Sequence, residues 1–318
     1  MKIGFFGASN IAFKFVAEEF RLNKNFEITA IASTREESGK LFKEKFGGKY
    51  FSTYENLIES NSIDAAYVSL PNSMHFPIAY KLLSKGIHCL IEKPLSTTFL
   101  QCSKLTEIAQ RNNLALVENF QFQHHNQFKF VLETLSNKTL GEIRSVNVRF
   151  GFPMFNDINN IRYSKELDGG ALFDAGAYIA KVSNILLESS NLNVSSSISK
   201  LSKYDVDMFG SCIVSNEKGV AVLGSWGFDN EYACSLDIWL SSGRLFCNRI
   251  FTAHSEVDAI VELTIKGKKE IRIFRDNHFA KSIDNFYKTI YSDNYKQKSY
   301  ADNLLQVKLI EKIRNINN

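Results

Sequence analysis

A chain of 318 residues has room for two domains, and its 44% apolar and 23% charged residues let each bury a core and keep a wetted surface. The net charge of +4 is spread without a dense Lys/Arg stripe, which argues against a nucleic-acid partner. No run approaches the roughly 18 apolar residues of a membrane span. Cysteines 89, 102, 212, 234 and 247 form no CxxC pair and fit no disulfide framework; with a start too poor in apolar residues for a signal peptide, they read as reduced thiols in a cytoplasmic protein.

In chain order, residues 2–6 read as a strand, followed by a turn and a helix over 10–22, then a strand over 27–32. Ser33 and Thr34 each precede a glutamate by three positions (Glu36, Glu37), a capping-box signature for the next helix. Residues 65–70 form a buried-strand run ended by Pro71. An amphipathic helix over 75–85 stops at Gly86, a strand over 87–91 enters the Glu92-Lys93-Pro94 turn, and a helix (97–111) and a strand (114–117) follow. This alternation predicts βαβ units on a parallel sheet, a Rossmann domain over 1–120.

Beyond residue 120 the pattern changes. Residues 127–135 look helical. In 145–150, Val146, Val148 and Phe150 alternate with Ser145, Asn147 and Arg149, the mark of a half-buried strand. Further strands are expected at 219–225, 236–240 and 270–274, and a last helix over 301–313. The reading is an α+β domain over 121–318 with a mostly antiparallel sheet, serving substrate binding and oligomerisation, with the last helix free to pack back on the first domain.

Four motifs carry chemistry. In Gly4-Phe5-Phe6-Gly7-Ala8-Ser9-Asn10-Ile11-Ala12, Gly7 supplies the tight turn that a dinucleotide needs after the first strand. Ser9 stands where a second glycine is usual and offers a hydroxyl, and Asn10 and Ile11 open the helix at which a pyrophosphate would sit. An ordinary βα turn would look much the same. At the end of the second strand no acid awaits a ribose 2′-hydroxyl. Arg35, with Ser33 and Thr34 as donors, suits a 2′-phosphate, so NADP(H) is preferred and NAD(H) possible; a solvated arginine at a helix start is the alternative. Lys93, between Glu92 and Pro94 at the carboxyl end of a buried strand, stands where α/β sheets bind ligands, and the proline holds its backbone extended. Finally, 168–178 (Asp-Gly-Gly-Ala-Leu-Phe-Asp-Ala-Gly-Ala-Tyr) reads as a thin helix placing Asp174 and Tyr178 on one face; tight packing against a sheet would equally account for its small residues.

With Gly7 to Ala12, Pro71-Asn72 and His75, Glu92-Lys93-Pro94, and the helix with Asp174, Gly176 and Tyr178 in this order, the chain resembles the glucose–fructose oxidoreductase/inositol dehydrogenase (Gfo/Idh/MocA) family. Tyr178, where many members have His, resembles the branch with glucose–fructose oxidoreductase, dihydrodiol dehydrogenases and nucleotide-sugar ketoreductases. Residues 118–125 (Glu-Asn-Phe-Gln-Phe-Gln-His-His), 141–145 and 160–163 (Asn-Ile-Arg-Tyr) look most like NDP-hexose 3-ketoreductases, although Asn126 replaces the usual proline and Asp168 a glycine. The resemblance implies reversible hydride transfer between a nicotinamide and a sugar carbon, with the keto oxygen near Lys93 and Tyr178. Asp174 would orient Lys93 or bind a sugar hydroxyl, unless it is a structural carboxylate. Leu70, Pro71, Asn72, His75, Glu92 and Lys93 would line the cofactor, with His75 as readily a cap or packing residue. His124, His125, Arg162 and Tyr163 would contact a sugar or nucleotide-sugar substrate, and no residues at ligand spacing suggest a metal. A homo-oligomer, dimer or tetramer, follows from the same resemblance. The alternatives are a dehydrogenase of free sugars, inositols or dihydrodiols, and a non-catalytic dinucleotide-binding regulator, which would need neither Lys93 nor Tyr178.

Overall fold

The computed structural model describes residues 1–315. It divides into two compact units, one of residues 1–120 and 279–307, the other of 121–278 and 308 onward.

The first unit carries β1 (Lys2–Phe6), α1 (Ala17–Leu22, entered through a π-helical turn, Ala12–Val16), β2 (Glu27–Ala32), α2 (Glu36–Phe46), β3 (Lys49–Phe51), α3 (Tyr54–Glu59), β4 (Ala65–Val68), α4 (Asn72–Ser84), β5 (His88–Glu92), α5 (Phe99–Arg111) and β6 (Leu116–Asn119). The six strands are parallel in the order β3-β2-β1-β4-β5-β6, so the connectivity reverses between β1 and β4. Alternation sends neighbours to opposite faces. Phe6, Val68, Ile91 and Leu116 pack with α3, α4 and α5, whereas Phe5, Ile31, Tyr67 and Leu90 pack with α1 and α2. Each such side chain, once fully buried, contributes about 1.5–3 kcal/mol.

The capping box expected at Ser33 and Thr34 does not form. Helix α2 begins at Glu36 behind Arg35, with no side-chain cap, because the Ser33 hydroxyl is spent on the Arg35 backbone: it accepts from Arg35 N at 3.2 Å and donates to Arg35 O at 3.0 Å.

The second unit carries α6 (Asn126–Ser136), β7 (Ile143–Gly151), α7 (Ala177–Leu187), β8 (Asn193–Ser199), β9 (Phe209–Ser215), β10 (Ala221–Gly227), β11 (Ala233–Leu240), β12 (Gly243–Asn248), β13 (Ala259–Ile265) and β14 (Lys268–Phe274). Its eight strands run in the order β14-β13-β12-β11-β7-β10-β9-β8, all pairs antiparallel except β7 with β10. The alternation read in β7 holds: Val146, Val148 and Phe150 are buried, with Asn147 and Arg149 exposed between them.

The last two helices, α8 (His278–Tyr291) and α9 (Asp293–Asn315), change the expected boundary, since 279–307 joins the first unit. Phe279, Ile283, Phe286 and Ile290 form one apolar stripe of α8 on the α1/α2 side of the parallel sheet. Tyr300 and Val307 of α9 lie in the opposite core, and Ser299 and Asn303 donate to Leu116 O at 2.7 and 3.0 Å. Among the described residues no helix is long and apolar enough to cross a membrane.

Candidate active site

In the first unit, the carboxyl ends of β1, β2, β4 and β5 bring together the residues read as cofactor-binding. Gly7 follows β1 with φ +95°, and a Cβ there would lie 2.8 Å from Ser69 O and 2.9 Å from Leu70 Cδ2. The turn therefore needs glycine, and it is pinned by Gly7 N donating to Ala32 O at 2.9 Å and Ser69 Oγ donating to Gly7 O at 3.2 Å. Ser9 Oγ accepts from Ala12 N at 3.2 Å, capping the helix that Asn10 and Ile11 open and leaving its own proton to donate. Beyond β2, Ser33 is buried while Thr34 and Arg35 are exposed. The glycine cradle, the helix start and the exposed guanidinium fit a dinucleotide with a 2′-phosphate.

Past β5 the Lys93 loop is clamped from three sides. His75, 1% exposed, sets Nδ1 2.7 Å from Pro94 O and Nε2 2.8 Å from Leu70 O, tying the β4 and β5 loops together. Glu118 Oε1 accepts from Leu95 N at 2.9 Å. Glu92 accepts from the Tyr67 hydroxyl and the Asn119 amide, each at 2.7 Å, and Ser282 donates to Asn119 at 2.6 Å. Burial, then the Glu92 charge, push the Tyr67 phenol far above its ordinary value, so it remains a donor. Burial lowers the His75 pKa, against the pull of the two carbonyls. His75 and Glu92 thus shape the loop that presents Lys93. Tyr67, Glu118 and Asn119 share the task; sequence reading gave none of them a role of its own, taking Tyr67 as part of a buried strand and Glu118 and Asn119 as part of the ketoreductase-like stretch.

In the second unit the expected thin helix is corrected. Gly169 and Gly170 precede it: Gly170 has φ +109°, and helical geometry begins with a π-helical segment, Leu172–Gly176, running into α7. A Cβ on Gly169 would lie 2.8 Å from Ser164 O and closer still to Arg162 O, so both glycines serve close backbone approach. Tyr178, 9% exposed, is walled by Phe122, Phe150 and Phe251, with ring centroids at 5.8, 5.0 and 4.8 Å. Asp174 pairs with Arg162 Nε, and the Arg162 guanidinium also lies 4.8 Å from the Phe155 ring centre. The Asp174 charge, with Tyr178 and Tyr163 adding, raises the Arg162 pKa against desolvation.

The remaining expected contacts separate. Tyr163 is buried, stacks on Tyr204 at 4.6 Å and accepts from Phe155 N at 2.8 Å. His125, 1% exposed, caps α6 by accepting from Gln127 N at 3.0 Å and meets His278 edge-on at 5.7 Å. His124 ends a 3₁₀ turn, Gln121–His124, and is half-buried.

A doubly wound sheet with a phosphate-fitting turn, joined to an antiparallel-sheet domain that carries a caged tyrosine, defines a dinucleotide-binding oxidoreductase. Residues 1–120 match the oxidoreductase family with an NAD-binding Rossmann fold, and residues 128–246 match the GFO/IDH/MocA C-terminal domain. A dTDP-3,4-didehydro-2,6-dideoxy-alpha-D-glucose 3-reductase from Actinomadura kijaniata is 31% identical over 99% of this chain and 95% of its own length. The crystal structure of a 3-ketoreductase from the same organism, in complex with NADP and TDP-benzene, superposes with a TM-score of 0.94 at 31% identity over 99% of this chain and 97% of that one. A D-xylose 1-dehydrogenase (NADP(+)) from Haloferax volcanii is 25% identical over 83% of this chain and 80% of its own. The chain belongs to the GFO/IDH/MocA family and is a nicotinamide-dependent oxidoreductase.

Proposed function

We propose that this enzyme reduces the keto group of a dTDP-linked deoxysugar with NADPH, using Lys93 and Tyr178 on the keto oxygen. The observation that carries the reading is the end-to-end match, at 31% identity, to a dTDP-keto-sugar 3-reductase. The clamped Lys93 loop and the caged Tyr178 support it.

When bound, the reduced nicotinamide supplies hydride to the carbonyl carbon. Negative charge then grows on the oxygen, where the Lys93 ammonium stabilises it and the Tyr178 phenol delivers a proton. Exposed Arg35 takes the 2′-phosphate, Asn72 touches the cofactor, Leu70 packs beside Gly7 and Pro71 leads into α4. Asp174 binds a sugar hydroxyl. His124 offers a polar contact to substrate, whereas Tyr163 and His125 act by shaping the loop and the α6 start. Arg162 serves through Asp174, its partner in the fold. The five cysteines are free and buried, which suits the reducing cytoplasm.

A panel of free sugars, nucleotides and dTDP-sugars, each tested for binding and for NADPH oxidation, separates this reading from a free-sugar dehydrogenase, which the xylose dehydrogenase match favours. dTDP and dTDP-linked sugars should bind, and only dTDP-linked keto-sugars should turn over; equal turnover of a free sugar would reject the nucleotide requirement. Tyr178→Phe and Lys93→Ala should each lower kcat about 10²-fold while keeping cofactor affinity. Arg35→Ala should weaken NADP(H) binding and leave NAD(H) unchanged; tighter NADH than NADPH binding in the unaltered enzyme would rule out the cofactor preference.

A further inference from the structure

The start of the Tyr178 helix is held by a residue 35 positions beyond the amide that it caps. Asp207, in the loop before β9, accepts from Leu172 N through Oδ2 at 2.6 Å, and its backbone carbonyl accepts from Ala171 N at 2.9 Å. Gly170 makes room for this carboxylate. With φ +109° it turns the chain away, and a Cβ there would collide with Asp207 Oδ1. The neighbouring π-helical segment is braced by Trp226, whose ring would lie 3.1 Å from a Cβ on Gly176. Asp174 and Tyr178 stand two and six residues beyond the capped Leu172 N–H. We propose that Asp207 is a positioning residue for the reaction, its carboxylate fixing the helix start that presents Asp174 and Tyr178. This deepens the reading of Tyr178 as proton donor and rests on it.

Charge fits the role. A carboxylate at a helix N-terminus faces the positive end of the peptide dipoles and makes a charge-assisted bond to the amide. Burial pushes the Asp207 carboxyl up to about 6, while the Leu172 N–H, the Trp226 indole N–H and the Lys200 ammonium draw it partly back. Lys200, from the loop after β8, is the charged group facing it; β10 presents the neutral Trp226 and the helix start its own amides. Because the folded-state pKa is raised, protonation favours the folded state, and that contribution is lost as pH rises through about 6. The ionised cap is thus kept at a cost in stability, and it weakens when protonated.

The test compares the full-length enzyme with Asp207→Asn, Asp207→Ala and Tyr178→Phe. It measures kcat and KM against pH with NADPH and a dTDP-keto-sugar, and amide hydrogen exchange at 171–176 corrected for intrinsic rates. Unaltered enzyme should show an acid limb in kcat centred near the Asp207 pKa of about 6. Asp207→Asn, a neutral acceptor like the protonated acid, should hold kcat at the level that the unaltered enzyme reaches below that limb, lose the limb and melt above the unaltered enzyme at alkaline pH. Asp207→Ala should lose about tenfold in kcat with KM changed far less, and exchange faster at 171–176. Unchanged exchange in Asp207→Ala overturns the proposal whatever the activity. Faster exchange with normal kcat, in an enzyme that Tyr178→Phe slows, also overturns it and leaves the Tyr178 reading intact. Normal turnover in Tyr178→Phe rejects that reading, and the proposal with it.

Discussion

At the scale of single residues, chemical type pointed to function, and partners then decided how that function is exercised. Arg162 is the clearest case. From the resemblance it would contact a sugar or nucleotide-sugar substrate, and removing it would then raise KM with kcat little changed. In the fold it pairs with Asp174, whose side chain is 17% exposed, so deletion removes a cation from beside the carboxylate one turn before Tyr178. Arg162→Ala should therefore lower kcat as well, by about tenfold, and Arg162→Lys should recover only part of it, because one ammonium lacks the planar fork. Steady-state kinetics on the dTDP-sugar decide; a pure KM effect would return Arg162 to direct substrate contact. The pair is too exposed on the arginine side, at 37%, to stabilise the fold by more than about 1 kcal/mol. Lys93 and Tyr178 could be proposed from sequence because each follows a recognisable local pattern. Asp207 could not: an aspartate in an unpatterned loop has no meaning until its partner amide is known.

At the scale of elements, periodicity located most of the parallel strands but left β8, β9, β12, β13 and α8 of the later chain unread, and glycine marked the turns without saying why they were needed. The Gly169-Gly170 pair read as part of a thin helix, and proves to be the turn before it. Gly170→Ala forces an alanine to φ +109° against Asp207 and should cost about 1–3 kcal/mol or more, seen as a lower denaturant midpoint at unchanged slope. Gly86 is the control. It also has positive φ, but nothing lies within 4 Å of an added Cβ, so Gly86→Ala should cost less than Gly170→Ala. Equal losses would mean that backbone conformation alone, and not the approach of Asp207, sets the requirement. The short β3 and α3 escaped the sequence reading because three to six residues hold too little periodic signal.

At the scale of the whole molecule, the antiparallel sheet of the second unit carries exposed apolar side chains. Ile213 and Leu223 pair across β9 and β10, and Trp239, Ile271 and Ile273 are 60–65% exposed. Patches of this kind mark interaction surfaces. A homo-oligomer formed through this face is the expected assembly, measured by light scattering at micromolar concentration. Trp239→Glu with Leu223→Glu should shift it toward monomer without unfolding it, and a monomeric unaltered protein would dismiss the face as an interface.

The sequence by itself determined what nearest neighbours along the chain can encode. The period-2 and period-3.6 apolar patterns fix strands and helices, Gly7 fixes the turn after β1, and Glu92-Lys93-Pro94 marks the end of a buried strand. Tertiary structure decided what depends on groups far apart in the chain. It set which unit covers α8 and α9, what the Ser33 hydroxyl binds, which carbonyls His75 ties together, and which carboxylate caps the Tyr178 helix. The physical reason is one of satisfaction. A buried polar group takes whichever partner the fold brings within about 3 Å, and separation along the chain says little about that distance.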